Sequence, residues 1–209
     1  MNFKIISADL LDEMEQRYRA QFINSIHGFK PANLLGTQNK KGQSNLSIFS
    51  SVFHLGANPA LVGMIVRPHS TKSRRHSYEN ILATGFYTLN QVHKGIYQQA
   101  HQTSARYSEL ESEFEATGLQ EEYLLDFPAP FVLESKLKMA LELKEVVDIK
   151  INNTHMLIGE IKWIIIPDDS ILEDGTLDLE AIDSVAISGL NRYHQTTLLE
   201  QLPYAKAAK

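Results

Sequence analysis

Short apolar runs separated by turn residues recur along most of this chain, and that rhythm limits its fold more than any other feature. Residues 32–38, 45–49, 61–66 and 86–90 are each five to seven residues long, with Gly, Asn or Pro within three positions of the start of each. Strands of that length bounded by turn signals are the mark of an antiparallel β architecture. Asn39-Lys40-Lys41-Gly42 separates the first two runs, so residues 32–49 read as a hairpin. Residues 50–55 continue extended, Asn58-Pro59 turns the chain, and 61–66 is apolar enough for a fully buried strand. Further strands are expected over 131–134, 139–147, 148–151 and 155–166. The pattern predicts a mainly β fold, a barrel or sandwich carrying helical additions.

Helical signals are few. Leu10, Leu11, Met14, Tyr18 and Phe22 recur every three or four residues, which predicts one amphipathic helix over 9–22 with Asp9 as its cap. A short helix is expected over 77–83, stopped by Gly85, and one or two helical turns over 196–202. Residues 93–127 are polar and rich in Glu, Gln and Ser, and read as an excursion from the sheet. No internal repeat interrupts the chain, and the whole of 1–209 is expected to be one domain with 93–127 as its insertion.

Composition excludes several classes of function. With 20 Lys and Arg against 25 Asp and Glu the net charge is −5, a poor footprint for nucleic acid. The absence of cysteine removes disulfides, thiolate zinc sites, cysteine-ligated iron–sulfur clusters and a cysteine nucleophile. Redox chemistry would need a borrowed cofactor. The start, Met1-Asn2-Phe3-Lys4-Ile5-Ile6-Ser7, has no long apolar stretch, and no run approaches the ~20 residues of a membrane helix, so a cytoplasmic location is expected.

Local chemistry points to one window, residues 29–90. Hydroxyls and cations in Ser70-Thr71-Lys72-Ser73-Arg74-Arg75-His76-Ser77, placed before a helix, suit a phosphate, although the same residues also fit a solvated loop. Residues 45–51 are studded with short polar side chains that could meet the edge of a flat heterocycle. No metal site is expected: His69 and His76 are seven apart and His93 and His101 eight apart, neither at helical zinc spacing. The acidic loop 168–183 lacks EF-hand spacing and reads as solvated. His101, beside Arg106 and Tyr107, fits a surface or satisfied helix histidine better than a cleft residue. Trp163 is expected in the core or an interface. There is no nucleophile elbow, Walker loop or Rossmann fingerprint.

Taken in order, these pieces resemble the flavin reductase-like family of FMN-binding split barrels. The matching segments are Asn45-Leu46-Ser47-Ile48-Phe49-Ser50-Ser51, Asn58-Pro59-Ala60-Leu61-Val62, Tyr78-Glu79-Asn80-Ile81 and Thr84-Gly85-Phe86-Tyr87-Thr88-Leu89-Asn90. Ala100-His101-Gln102-Thr103-Ser104-Ala105-Arg106-Tyr107, Glu113-Phe114-Glu115-Ala116-Thr117-Gly118-Leu119 and Pro130-Phe131-Val132-Leu133-Glu134-Ser135 are similar to one branch of it. The likeness runs over roughly residues 28–195. It implies a Greek-key split barrel of about six strands, a homodimer, and FMN near the dimer interface. Carried over by position, Asn45, Ser47, Phe49, Ser50 and Ser51 would line the flavin ring and ribityl chain, and Arg67, Ser73, Arg75 and His76 the phosphate. Arg75-His76-Ser77 replaces the Lys-Asp-Thr-like triplet of many members, and only Gly189 and Tyr193 match the family's later glycine-rich turn and tyrosine.

The resemblance also implies an oxidoreductase of the flavin reductase type, in which NADH or NADPH, bound transiently, gives hydride to flavin N5 and the electrons pass to an acceptor, with a partner oxygenase of unassigned identity. No side-chain acid or base is obligatory for that transfer, so no catalytic residue is named. Two other readings stand beside it: a non-enzymatic flavin-binding or electron-transfer homodimer, and a barrel without cofactor that serves as an interaction dimer.

Overall fold

The computed structural model of the chain describes residues 2–67, 76–108 and 111–207. It opens with two short helices, α1 (Ala8–Glu13) and α2 (Gln16–Ser25), where one helix was expected over 9–22. The break has a local cause. Met14 leaves the helical region at ψ 140°, and the Glu15 carboxylate accepts the Tyr18 N–H at 2.9 Å, which starts a new helix. Ser7, rather than Asp9, caps α1, accepting the Leu10 N–H at 3.3 Å, and Asp9 instead lies in the first turn.

After the two-residue strand β1 (Lys30–Pro31) come β2 (Asn33–Gln38) and β3 (Ser44–Phe49), the expected hairpin. Its turn is set by Asn39, whose Oδ1 accepts the N–H groups of Lys41 and Gln43, and by Gly42 at φ +84°. β4 (Val52–Ala57) and β5 (Ala60–Val66) form a second hairpin across a cis Asn58–Pro59 bond. α3 (His76–Thr84) ends where Gly85 takes φ +80° and donates to Ile81 O, and β6 (Phe86–Gln91) follows.

The excursion holds α4 (Tyr97–Gln102), α5 (Glu113–Thr117) and β7 (Glu121–Glu122), the last paired with β8 (Phe131–Val132). β9 (Lys138–Ile149) and β10 (Thr154–Ile165) are long partners. The two runs expected at 139–147 and 148–151 are therefore a single strand, and the turn falls later, at 150–153, with Asn153 at φ +53°. β11 (Val185–Ser188) and β12 (Arg192–Gln195) make a hairpin that the sequence reading did not anticipate. Residues 196–202 are irregular, not helical, and Leu198, Leu199 and Leu202 are exposed.

The main sheet has seven strands in the order β3-β2-β6-β9-β10-β5-β4. Its two end strands, β3 and β4, are joined in the chain by Ser50 and Ser51 alone. The sheet must therefore curl until its edges meet, which makes the split barrel. Register shifts in the β9–β10 ladder at Ile158/Gly159 and Ile161/Trp163 supply local bending. Gly159 leaves room for the buried Tyr87 ring, which a Cβ there would strike.

Two packed regions sandwich the β2–β3 hairpin. Leu35, Met64, Ile81, Tyr87, Leu89 and Leu141 fill the barrel. Leu34 and Leu46, on the opposite faces of their strands, pack outward against Ile96, Ala100, Phe114 and Ile187. Residues 93–127, polar in composition, thus bury an apolar stripe over the barrel wall and fix what lies beside β3.

Candidate functional site

The side chains of β3 alternate. Leu46 and Ile48 pack outward, while Asn45, Ser47 and Phe49 take the other face. That second face meets the first turn of α3. Asn45 Nδ2 donates to Ser77 Oγ at 2.9 Å, and the Ser47 and Ser77 hydroxyls are 2.6 Å apart. One turn further on, Asn80 Nδ2 donates to Thr37 Oγ1 at 3.2 Å on β2. Asn45, Ser77, Asn80 and Thr37 are all buried, so these bonds weld α3 to the hairpin through polar groups that apolar contact could not hold in register. On its far side α3 is held by Tyr78, stacked on His155 at 5.2 Å, and His155 Nδ1 lies 2.7 Å from the Asp148 carboxylate.

A cleft of about 140 Å³ opens at this seam, with Asn45, His76 and Asn80 in its lining. Helix α5 closes its side. β3 is an end strand of the sheet, and the Glu113 carboxylate accepts the Leu46 N–H at 3.2 Å in place of a neighbouring strand. Burial pushes the Glu113 carboxyl up from its ordinary value, against the opposing pull of the Leu46 N–H and of His76. Glu79 and Glu111 also line the cleft, so its described walls carry three carboxylates and one imidazole.

Of the residues expected at a flavin site, Asn45 and His76 line the cleft, and Ser47 is tied to Ser77 at the seam beside it. Phe49 is partly buried against the barrel core, next to the same seam. Ser50 is half-buried and Ser51 exposed; the Ser51 carbonyl accepts the Ile65 N–H at 3.0 Å, and both residues lie beyond the cleft. Arg67 is exposed at the end of β5. Ser73 and Arg75 lie outside the described residues. Sequence reasoning did not single out Asn80, Thr37 or Glu113, and met Ser77 only as the last residue of the phosphate segment 70–77. A hydroxyl in the first turn of the helix was a usable signal for Ser77; nothing in spacing pointed across 67 residues from Glu113 to Leu46.

His101 is exposed, with Nδ1 3.1 Å from the Tyr193 hydroxyl. Tyr193 packs against the outer core beside Ile48, and burial pushes its hydroxyl up to about 12. Tyr107 is tied back to Gln102 O at 3.3 Å. Trp163 is half exposed on β10 and belongs to no core of this chain. Among the described residues no group of three or more His, Asp or Glu could hold a metal ion, and no helix is long and apolar enough to cross a membrane.

Residues 29–178 match the flavin reductase like domain. The chain belongs to the flavin reductase-like family. Among solved structures, a protein from Shewanella frigidimarina NCIMB 400 described as a flavin reductase with a split barrel domain is 55% identical, with a TM-score of 0.92 over 97% of this chain and all of that one. Nitrilotriacetate monooxygenase component B from Bacillus cereus shares the fold at 17% identity and a TM-score of 0.83, over 97% of this chain and 100% of that one. The 2-nitrobenzoate 2-nitroreductase of Pseudomonas fluorescens does so at 19% and 0.81, over 97% and 96%. No curated protein matches the chain. The flavin reductase-like fold here is that of flavin-binding oxidoreductases, and the β3–α3 cleft lies within the matched residues.

Proposed function

We propose that this flavin reductase-like protein binds FMN at the β3–α3 cleft and works as an NAD(P)H-dependent flavin oxidoreductase, with 1–209 acting as one unit. The observation that carries the reading is the convergence of Asn45 and Ser47 on Ser77, at the helix turn that follows the basic segment 67–76. The donor set suits the cofactor. Amide and hydroxyl groups of Asn45, Ser47 and Ser77 match the polar edge and hydroxyl chain of a flavin, and the cations of 67–76 match a phosphate.

Bound FMN would supply the two-electron chemistry, taking hydride from NADH or NADPH and passing electrons to an acceptor. The chain's own residues bind and orient. Ser77 couples β3 to α3, so the ring-facing strand and the phosphate-facing helix turn move as one. Phe49, Ser50 and Ser51 extend the ring-facing strand. Arg67, Ser73, Arg75 and His76 would hold the phosphate, and their cations must outweigh the carboxylates of Glu79, Glu111 and Glu113. Glu113 keeps the edge of β3 satisfied at Leu46. A homodimer in the cytoplasm, handing electrons to a partner oxygenase, completes the proposal.

Anaerobic mixing of the FMN-loaded protein with NADH and with NADPH tests it. Bleaching of the flavin absorbance within the mixing trace is expected. A flavin that binds but never bleaches supports the electron-transfer reading instead, and a protein that ignores FMN overturns both.

A further inference from the structure

A second cavity lies away from the β3–α3 cleft, between α2 and the β11–β12 hairpin, with a volume of about 550 Å³. Tyr18, Gln21, Phe22 and Ser25 form its one wall; their spacing of three and four residues puts them on a single helix face. That is the face an amphipathic helix normally packs against a core. Here it looks into open space, and α2 buries none of its residues completely.

The frame of the cavity is firmly built. Gln21 Oε1 accepts the Leu190 N–H at 3.2 Å, and its Nε2 donates to Asn191 Oδ1 at 3.3 Å. Gly189, at φ +60°, comes so close to Gln21 that a Cβ there would press on the Gln21 side chain. Lys30 braces the same corner, donating to Asn24 Oδ1 at 3.3 Å and Gly189 O at 3.2 Å.

The charges are one-sided. No acidic residue is among the described residues that line the cavity. The exposed Arg192 guanidinium has no hydrogen bond or ion pair among the described residues; beside the cavity, the Lys30 ammonium donates to the neutral Asn24 and Gly189 oxygens, and burial pushes its pKa down. Arg192 is thus the one charged side chain among the described residues of the lining, an exposed guanidinium at the cavity mouth that an anion could meet. The aromatic wall selects further. Tyr18 and Phe22 offer ring faces, a guanidinium fork fits a carboxylate with two parallel bonds, and the volume lies in the range of small-molecule pockets.

We propose that this cavity binds a small planar organic anion, an aromatic ring bearing a carboxylate, with the carboxylate on Arg192 and the ring against Tyr18 and Phe22. The site is separate from the proposed flavin cleft and does not depend on it.

Calorimetric titration of the full-length protein with benzoate, benzamide and inorganic phosphate, each with and without saturating FMN, tests the proposal. Saturable benzoate binding is expected, at least tenfold tighter than benzamide or phosphate and indifferent to FMN. Arg192→Gln should weaken it tenfold or more, and Tyr18→Ala, at an exposed position, should weaken it without touching the charge. Equal affinity for benzamide, equal affinity for phosphate, loss of benzoate binding on adding FMN, or benzoate affinity unchanged in both variants would each overturn it.

Discussion

The two cavities of this protein are built on opposite plans. The β3–α3 cleft is small, cross-bonded and set on the core: Leu46 behind it is fully buried, and its polar groups answer one another at 2.6–3.2 Å. The α2 cavity is roomy, aromatic and peripheral, framed by Gln21 with Arg192 as the one charged residue of its described lining. Among the described residues the first has three carboxylates in its walls and the second has none. A cofactor held through many cycles needs the rigid frame of the first, because pre-organised donors lose little freedom on binding. An exchanging small molecule suits the second, where charge and ring contact do the selecting.

The sharpest way to break this contrast is mechanical. Leu46→Ala should cost about 2–5 kcal/mol of stability, the range for deleting a buried leucine, whereas Phe22→Ala on the half-buried face of α2 should cost about 1 kcal/mol or less. Denaturant unfolding of both variants measures the difference, and equal losses would erase the distinction between core-built and peripheral cavities. Next in size is the phosphate charge. Arg75→Ala should weaken FMN binding by about 1.5–3 kcal/mol, the worth of a charged hydrogen bond, read by fluorescence titration; an unchanged affinity removes Arg75 from the site.

Smaller effects separate two carboxylates of opposite behaviour. Burial raises the Glu113 carboxyl, so the native state holds its proton to higher pH than the unfolded chain. Its contribution is present below the unfolded carboxylate value and falls as pH rises toward the raised native one. Glu113→Gln should flatten that decline in melting temperature, while a decline of unchanged slope would argue against the buried carboxyl as its source. Asp183 runs the other way. Hydrogen bonds from Lys136 and Lys94 lower it to about 2, so its contribution is present above the unfolded value and is lost as pH falls toward 2. Asp183→Asn should trim the acid limb slightly and only at low salt, since the pair faces solvent; a trim of equal size at high salt would contradict the screening.

Much of the barrel was legible because its strands are local patterns. Residues 32–49 and 61–66 show their turns and apolar faces directly, and Gly85 marks the end of α3. What escaped was set by distant partners. The break between α1 and α2 depends on Glu15 choosing the Tyr18 amide over helix continuation. The β11–β12 hairpin, lacking a long apolar run, is fixed by pairing with β1 and by Gln21 at its turn. The same holds for the site. Asn45, Ser47 and His76 are singled out by order along the chain, yet the bonds that tie Asn45 and Ser47 to Ser77, and Leu46 to Glu113, become visible only once α3 and α5 are folded against β3.

The central claim, that the β3–α3 cleft holds the flavin, is tested most directly by titrating FMN into the wild type and into Ser77→Ala while following flavin fluorescence. The account predicts saturable quenching in the wild type and affinity weakened about tenfold in the variant, the loss expected when Asn45 and Ser47 forfeit one buried partner. Wild-type protein that leaves FMN fluorescence untouched, or a variant that binds as tightly as the wild type, would contradict it.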